Sequence, residues 1–78
     1  FKSNQYEKAI ERFDKVLSIN PARIDMHIYK AQTYRQMNQM DKAIRELELF
    51  IAASDNKELV AEAIKLIEEL KTSGSSNP

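Results

Sequence analysis

Apolar side chains recur at helical spacing through most of this chain. Between residues 5 and 19 they fall three or four positions apart, and charged residues fill most of the positions between them. This spacing places one apolar stripe along a single face of an α-helix. The same stripe returns between residues 40 and 53, and two adjacent stripes occupy residues 22 to 37. A fourth amphipathic segment follows, so the pattern predicts an all-α chain of four helices, over residues 5–19, 22–37, 40–53 and 57–71.

Turn and capping residues separate these segments. Pro21 predicts the end of the first helix at Asn20, because the residue before a proline is pushed out of the α region. Asn38 is expected to end the second helix, since asparagine tolerates the left-handed conformation. Asp55, with Glu58 three residues later, predicts a capping box at the start of the fourth helix, with Asp55 as the N-cap.

The fourth helix is expected to turn its main apolar stripe toward the core. That stripe consists of Val60, Ala63, Ile64 and Ile67, whereas Leu49 on the third helix is expected to be exposed. The last seven residues, TSGSSNP, carry no apolar side chain. They predict a disordered tail at 72–78 after a helical domain at 1–71.

The chain also repeats itself. Residues 4–10 read NQYEKAI, and 34 positions later residues 38–44 read NQMDKAI. After each copy a small residue is followed four positions later by a large apolar one: Ala9 with Phe13, and Ala43 with Leu47. A fixed period of about 20 to 50 residues is typical of solenoids and arrays, in which small residues allow helices to approach closely.

This period, with two helices per unit, resembles the tetratricopeptide repeat over most of the chain. Ala31 and Tyr34 fit the small and aromatic positions of the family's first helix, and Pro21 fits the end of its second. The resemblance implies antiparallel helix–turn–helix units in a right-handed solenoid. Asn4 and Asn38 stand in the turn where the family usually carries glycine. Lys30 departs from the pattern, because it stands where the family prefers leucine.

The resemblance also implies an incomplete array. The chain would hold the end of one helix at residues 1–3, its partner helix, one full helix pair and a capping helix. Stable arrays usually need about three repeats. Two explanations stay open: the chain is the C-terminal end of a longer array, or the isolated chain forms a homodimer. The homodimer would use the unpaired stripe at Tyr6, Ile10, Phe13 and Leu17.

Charge and composition exclude several partner classes. Twelve basic and twelve acidic residues cancel, so no net charge attracts nucleic acid or a membrane surface. Cysteine is absent, and no apolar run is long enough to span a membrane. Because no targeting signal occurs either, the compartment stays unknown, with a soluble cytoplasmic location as the default expectation.

Catalytic chemistry finds no support in the sequence. His27 is the one histidine, and Asp25, two residues away, would not face it on a helix. We therefore expect His27 to be a half-buried packing residue. No converging set of metal ligands and no glycine-rich phosphate loop occurs, so we expect no enzyme activity, no cofactor and no metal. The segment could still be attached to an enzyme as a docking domain.

The resemblance implies a scaffold for protein–protein interaction. Members of the family usually bind a peptide or partner protein in a concave groove that is lined by the first helix of each pair. The matching positions here are Asp25, Ile28, Tyr29, Gln32, Arg35, Gln36, Glu62 and Lys65. Self-association through the first complete helix is the alternative.

Overall fold

The computed structural model describes residues 3–74, and this part of the chain forms four α-helices. Each helix packs on the next one along the chain, and the shortest extent of the fold is 13 Å, so the helices form a single layer. The predicted all-α helical-repeat fold is confirmed. The helices are α1 (Ser3–Ile19), α2 (Asp25–Gln36), α3 (Met40–Ala53) and α4 (Lys57–Gly74).

The buried core centres on α3, which lies between α2 and α4. Ala43 and Leu47 are almost completely inaccessible to solvent, and the predicted stripe of α3 is the most deeply buried in the structure. Ala43 lets a neighbouring helix approach, while Leu47 fills the space beside it. The other core members come from the flanking helices and from the end of α3: Ala31, Phe50, Ala63, Ile67 and Leu70.

The second helix begins three residues later than the predicted start at residue 22. Asn20 holds this segment in turns: its side-chain Oδ1 accepts a hydrogen bond from the Ala22 amide, and its carbonyl accepts one from the Arg23 amide. These local bonds compete with helix formation, as asparagine side chains commonly do. Regular helix therefore starts at Asp25.

The two asparagines of the repeated stretch have different conformations. Asn38 has a φ of 63° and is the described non-glycine residue with positive φ, so it makes the predicted left-handed turn after α2. Asn4 was expected to make the same turn, but it lies inside α1. Helix α1 already begins at Ser3, so the prediction that Ser3 belongs to the end of a preceding helix is wrong. The other two residues of that predicted helix end, Phe1 and Lys2, lie outside the described residues. The same Asn-Gln pair therefore lies in a helix in the first copy and in a left-handed turn in the second.

The N-cap of α4 is Asn56, and the prediction of Asp55 is wrong. The Asn56 Oδ1 atom accepts hydrogen bonds from the amides of Glu58 and Leu59, both at 3.1 Å. These are the second and third residues of the helix, the usual donors to an N-cap side chain. Ser54 in turn accepts a hydrogen bond from the Asn56 amide through its Oγ atom.

The buried stripe of α4 is narrower than predicted. Ala63, Ile67 and Leu70 are buried, whereas Ile64 is 45% exposed, so its predicted core position is wrong. Among the described helices, α4 packs only on α3, and a single neighbour covers a narrow face. Leu49 is exposed, as the sequence predicts.

The end of α4 lies beyond the predicted boundary at residue 71. The helix continues through Gly74, and the Thr72 hydroxyl donates a hydrogen bond to the Glu68 carbonyl one turn earlier. This bond keeps the threonine side chain within the helical turn. The first three residues of the predicted tail are thus helical, and residues 75–78 lie outside the described residues.

Candidate functional site

An open groove runs between α2 and α4, above α3. These two helices do not pack on each other; both pack on α3, which supplies the floor. One pocket of this groove, which we call the main pocket, has a volume of about 310 Å³. Its lining residues are Asp25, Ile28, Tyr29, Gln32, Phe50, Leu59, Glu62, Ala63 and Leu66.

The groove continues toward the C-terminal end of α2. Gln32, Arg35 and Gln36 line a second open pocket of about 450 Å³, which we call the Arg35 end. A small apolar recess of about 60 Å³ joins the two, because it shares Ile28 and Leu66 with the main pocket and Gln32 and Arg35 with the Arg35 end. The three cavities therefore form one continuous surface.

Seven of the eight predicted groove residues line these cavities. The exception is Lys65, an exposed residue that lines none of the three. On α4 the groove is lined at Leu59, Glu62 and Leu66, a spacing of three and then four residues that defines one helix face. Leu59 and Leu66 were missed, although this spacing was readable in the sequence.

The two carboxylates of the main pocket have different surroundings. Arg23 donates two hydrogen bonds to Asp25, at 3.1 and 3.2 Å, and this pairing lowers the pKa of Asp25. Within the described residues, Glu62 makes no ion pair and no side-chain hydrogen bond. The same holds for the Arg35 guanidinium at the other end of the groove. Glu62 and Arg35 are thus the charges of the groove that are available to a ligand.

Two groove side chains of α2 are also contacted by α1. The rings of Phe13 and Tyr29 lie 5.7 Å apart between centroids, at an angle of 31°. The Tyr6 hydroxyl donates a hydrogen bond of 3.4 Å to Gln36. Helix α1 therefore positions Tyr29 and Gln36 from the side opposite α4.

Comparison with known sequences matches the chain, over residues 1–67, to the sequence model of the tetratricopeptide repeat. The chain belongs to the tetratricopeptide repeat family. Comparisons with curated proteins and with solved structures gave no significant match. Domains of this family generally bind proteins or peptides and are typically non-catalytic, which agrees with the scaffold function predicted for the chain.

The tetratricopeptide repeat domain also contains a buried cluster of charges, which sequence reasoning missed. The Glu46 carboxylate of α3 accepts a hydrogen bond from His27 Nδ1 at 2.8 Å and forms an ion pair with Lys30 Nζ at 3.1 Å. Lys30 Nζ also pairs with the Asp14 carboxylate of α1 at 2.6 Å. Lys30 and Glu46 are both buried. Residues 14, 30 and 46 come from three helices, so the cluster joins α1, α2 and α3 side by side. His27 is partly buried, as expected, but it also has this carboxylate partner.

The carboxylates determine the charge state of Lys30. Burial by itself would lower the pKa of this lysine, but hydrogen bonds to Asp14 and Glu46, with the charges of both carboxylates, outweigh burial and raise it. Lys30 is therefore a charged residue in a position where the family prefers leucine. The burial of Lys30 could have been predicted, since Lys30 lies four residues before Tyr34 and therefore shares its helix face.

The predicted self-association residues of this tetratricopeptide repeat domain all lie on α1 and are all half-buried: Tyr6, Ile10, Phe13 and Leu17. Two of them, Tyr6 and Phe13, contact α2, so that part of the stripe is not free. No residue of α1 among those described belongs to the buried core.

The described residues contain no group of three or more acidic, histidine or cysteine side chains that could hold a metal ion. None of the described helices is long and apolar enough to cross a membrane.

Proposed function

We propose that this domain binds a peptide, or an extended segment of a partner protein, in the groove between α2 and α4. The observation that carries the proposal is the composition of the groove: exposed apolar side chains stand beside unpaired charges above a buried floor. Apolar contacts of this kind supply affinity, and a few polar groups fix orientation. No step of the proposed function is catalytic.

Leu59 and Tyr29 are the apolar side chains with most to gain from a ligand. Both line the main pocket, and both remain more than 40% exposed. Complete burial of a large apolar side chain contributes roughly 1.5–3 kcal/mol. Since each is already about half covered, a ligand that covers the rest would gain on the order of 1 kcal/mol from each.

A matched pair of leucines tests the location of the site. Leu59 is 46% exposed in the groove and Leu49 is 42% exposed outside it. A peptide would first be selected from a displayed random library, and its affinity would be measured by calorimetry. We expect Leu59→Glu to weaken binding by about fivefold or more, which corresponds to the loss of about 1 kcal/mol of apolar contact, and Leu49→Glu to leave the affinity unchanged. Equal loss in both variants, or a library that yields no binder, would refute the groove as the binding site.

Self-association through α1 is the second candidate function. The apolar side chains of α1 all stay partly exposed, and Ile19 at its end is the most exposed large apolar residue described. We expect Ile10→Glu and Leu17→Glu to convert a dimer to a monomer in sedimentation experiments, with Leu49→Glu as the control. A wild-type chain that stays monomeric at the highest attainable concentration would rule this function out.

A further inference from the structure

We propose that the groove selects its ligand by charge: a lysine or arginine side chain enters the main pocket, and an acidic group lies at the Arg35 end. This inference rests on the proposed function, because it assigns a ligand chemistry to the same groove. The partner is therefore an extended peptide segment with a basic residue and an acidic residue on either side of an apolar one.

The main pocket has the composition that a long cationic side chain requires. Its volume of about 310 Å³ is bounded by apolar side chains such as Ile28, Leu59 and Leu66, which can cover a methylene stem. Its charged lining residues are acidic, Asp25 and Glu62. Arg23 already neutralises Asp25, so Glu62 is the carboxylate that a ligand cation would pair with.

Tyr29 adds a second attraction for a cation. Its ring lines the main pocket, and it is 44% exposed even though Phe13 packs against it. A cation near a tyrosine face is attracted to the ring electrons, and arginine makes this contact most often. An anionic side chain in the same place would be repelled by Glu62 and would gain nothing from the ring.

The Arg35 end has the opposite preference. The other described residues that line it, Gln32 and Gln36, are neutral, so among the described residues the guanidinium is the only charge at this cavity. A guanidinium presents paired donors that match a carboxylate. An acidic side chain or a terminal carboxylate of the ligand is the group that fits this end.

The length of α2 sets the spacing between the two ligand charges. Tyr29 and Arg35 are six residues apart and Asp25 and Arg35 are ten, which corresponds to about 9–15 Å along the helix at 1.5 Å per residue. An extended peptide advances about 3.3 Å per residue, so its two charged residues lie about three to five positions apart. The recess at Ile28 and Leu66 lies between them and takes an apolar side chain.

Four synthetic peptides test the charge preference. They share an acetylated, amidated backbone X-Ala-Leu-Ala-Z, in which X and Z are Arg and Glu, both Arg, both Glu, or both Gln. Affinities are measured by titration of amide chemical shifts, which reports weak binding and its location together. We expect the Arg/Glu peptide to bind about fivefold more tightly than the Gln/Gln peptide, the effect of one to two exposed ion pairs.

Reversing one groove charge should change which peptide binds best. Glu62→Lys leaves two positive ends and should favour the Glu/Glu peptide, whereas Arg35→Glu leaves two negative ends and should favour the Arg/Arg peptide. The control is Glu68→Lys, which reverses an exposed charge of α4 outside the groove lining and should keep the wild-type order. Circular dichroism checks that each variant remains helical.

The outcomes separate this inference from the proposed function. If the four peptides bind the wild-type groove within twofold of one another, the charge preference is wrong and the groove function stands. If an inversion in either variant fails to appear while peptides still bind, the assigned residue is wrong. If neither these peptides nor library-selected ones shift any groove amide, both the inference and the proposed function are refuted.

Discussion

The buried charge cluster makes the strongest prediction about stability. Glu46 joins His27 and Lys30, and Lys30 also reaches Asp14. Replacing Glu46→Leu removes the central carboxylate and leaves a buried lysine with one partner. Breaking a buried ion pair in this way typically costs about 3–5 kcal/mol.

The expected cost here is smaller, because Lys30 keeps its contact to Asp14. That carboxylate is 55% exposed, so it compensates only in part. We expect Glu46→Leu to lower the free energy of unfolding by about 2–3 kcal/mol. For a domain of this size each kcal/mol shifts the Tm by about 4–8 °C, so the Tm should fall by roughly 8–24 °C.

A double-mutant cycle distinguishes a charge effect from a packing effect. Lys30→Leu alone leaves the Glu46 carboxylate buried with His27 and should cost about 2 kcal/mol. The double variant Lys30→Leu, Glu46→Leu replaces the pair with apolar groups and should lie within about 1 kcal/mol of the wild type. The coupling energy between the two sites should then be about 3 kcal/mol or more.

Urea unfolding followed by circular dichroism measures all of these variants. Glu48→Leu is the matched control, since Glu48 is exposed on the same helix and should change stability by no more than about 0.5 kcal/mol. A Glu46→Leu variant as stable as this control would refute the pairing. Additive costs in the double variant would show that Lys30 and Glu46 do not stabilise each other.

Three further predictions concern capping, backbone conformation and pH. Asn56→Ala should cost about 1 kcal/mol in urea unfolding, because it removes the N-cap of α4, while Asp55→Ala should change little. Asn38→Ala should lower the free energy of unfolding by about 1–2 kcal/mol, because alanine is disfavoured in the left-handed conformation, whereas Asn4→Ala inside α1 should leave it unchanged or raise it. Equal effects of the two substitutions would contradict these conformations. Because the pKa of Lys30 is raised, its charge stabilises the fold fully below the ordinary lysine pKa, and this stabilisation is lost as the pH rises through the raised value. The free energy of unfolding should therefore be lower at about pH 11 than at about pH 9, and Lys30→Leu should reduce this difference.

Helical spacing predicts the fold well where one helix face decides burial. On α3 the stripe that contains Ala43 and Leu47 is buried as the spacing requires, since α3 has neighbours on both sides. On α4 the same reasoning placed Ile64 inside, but α4 has a single described neighbour and leaves that side chain exposed. Spacing identifies a face, and the number of neighbours determines how wide a face is covered.

The candidate site was predictable in its α2 half. Ile28 and Gln32 line the groove because they follow the family's positions on the first helix of the pair. Lys65 lines none of the three cavities, and its predicted position depended on the frame of α4 relative to the repeat, which the sequence alone does not determine. The pairing of His27 with Glu46 joins residues 19 positions apart on different helices, and no local pattern specifies such a contact.

The contacts that α1 makes with Tyr29 and Gln36 have a thermodynamic consequence. Helix α1 packs on α2 alone among the described helices and, unlike α4, contributes no described residue to the buried core, so it should undock at a lower free energy than the rest of the domain. Undocking would release two side chains that line the groove. A ligand that orders Tyr29 would therefore slow hydrogen exchange in α1, a helix it never touches, and by reciprocity a firmly docked α1 would tighten ligand binding.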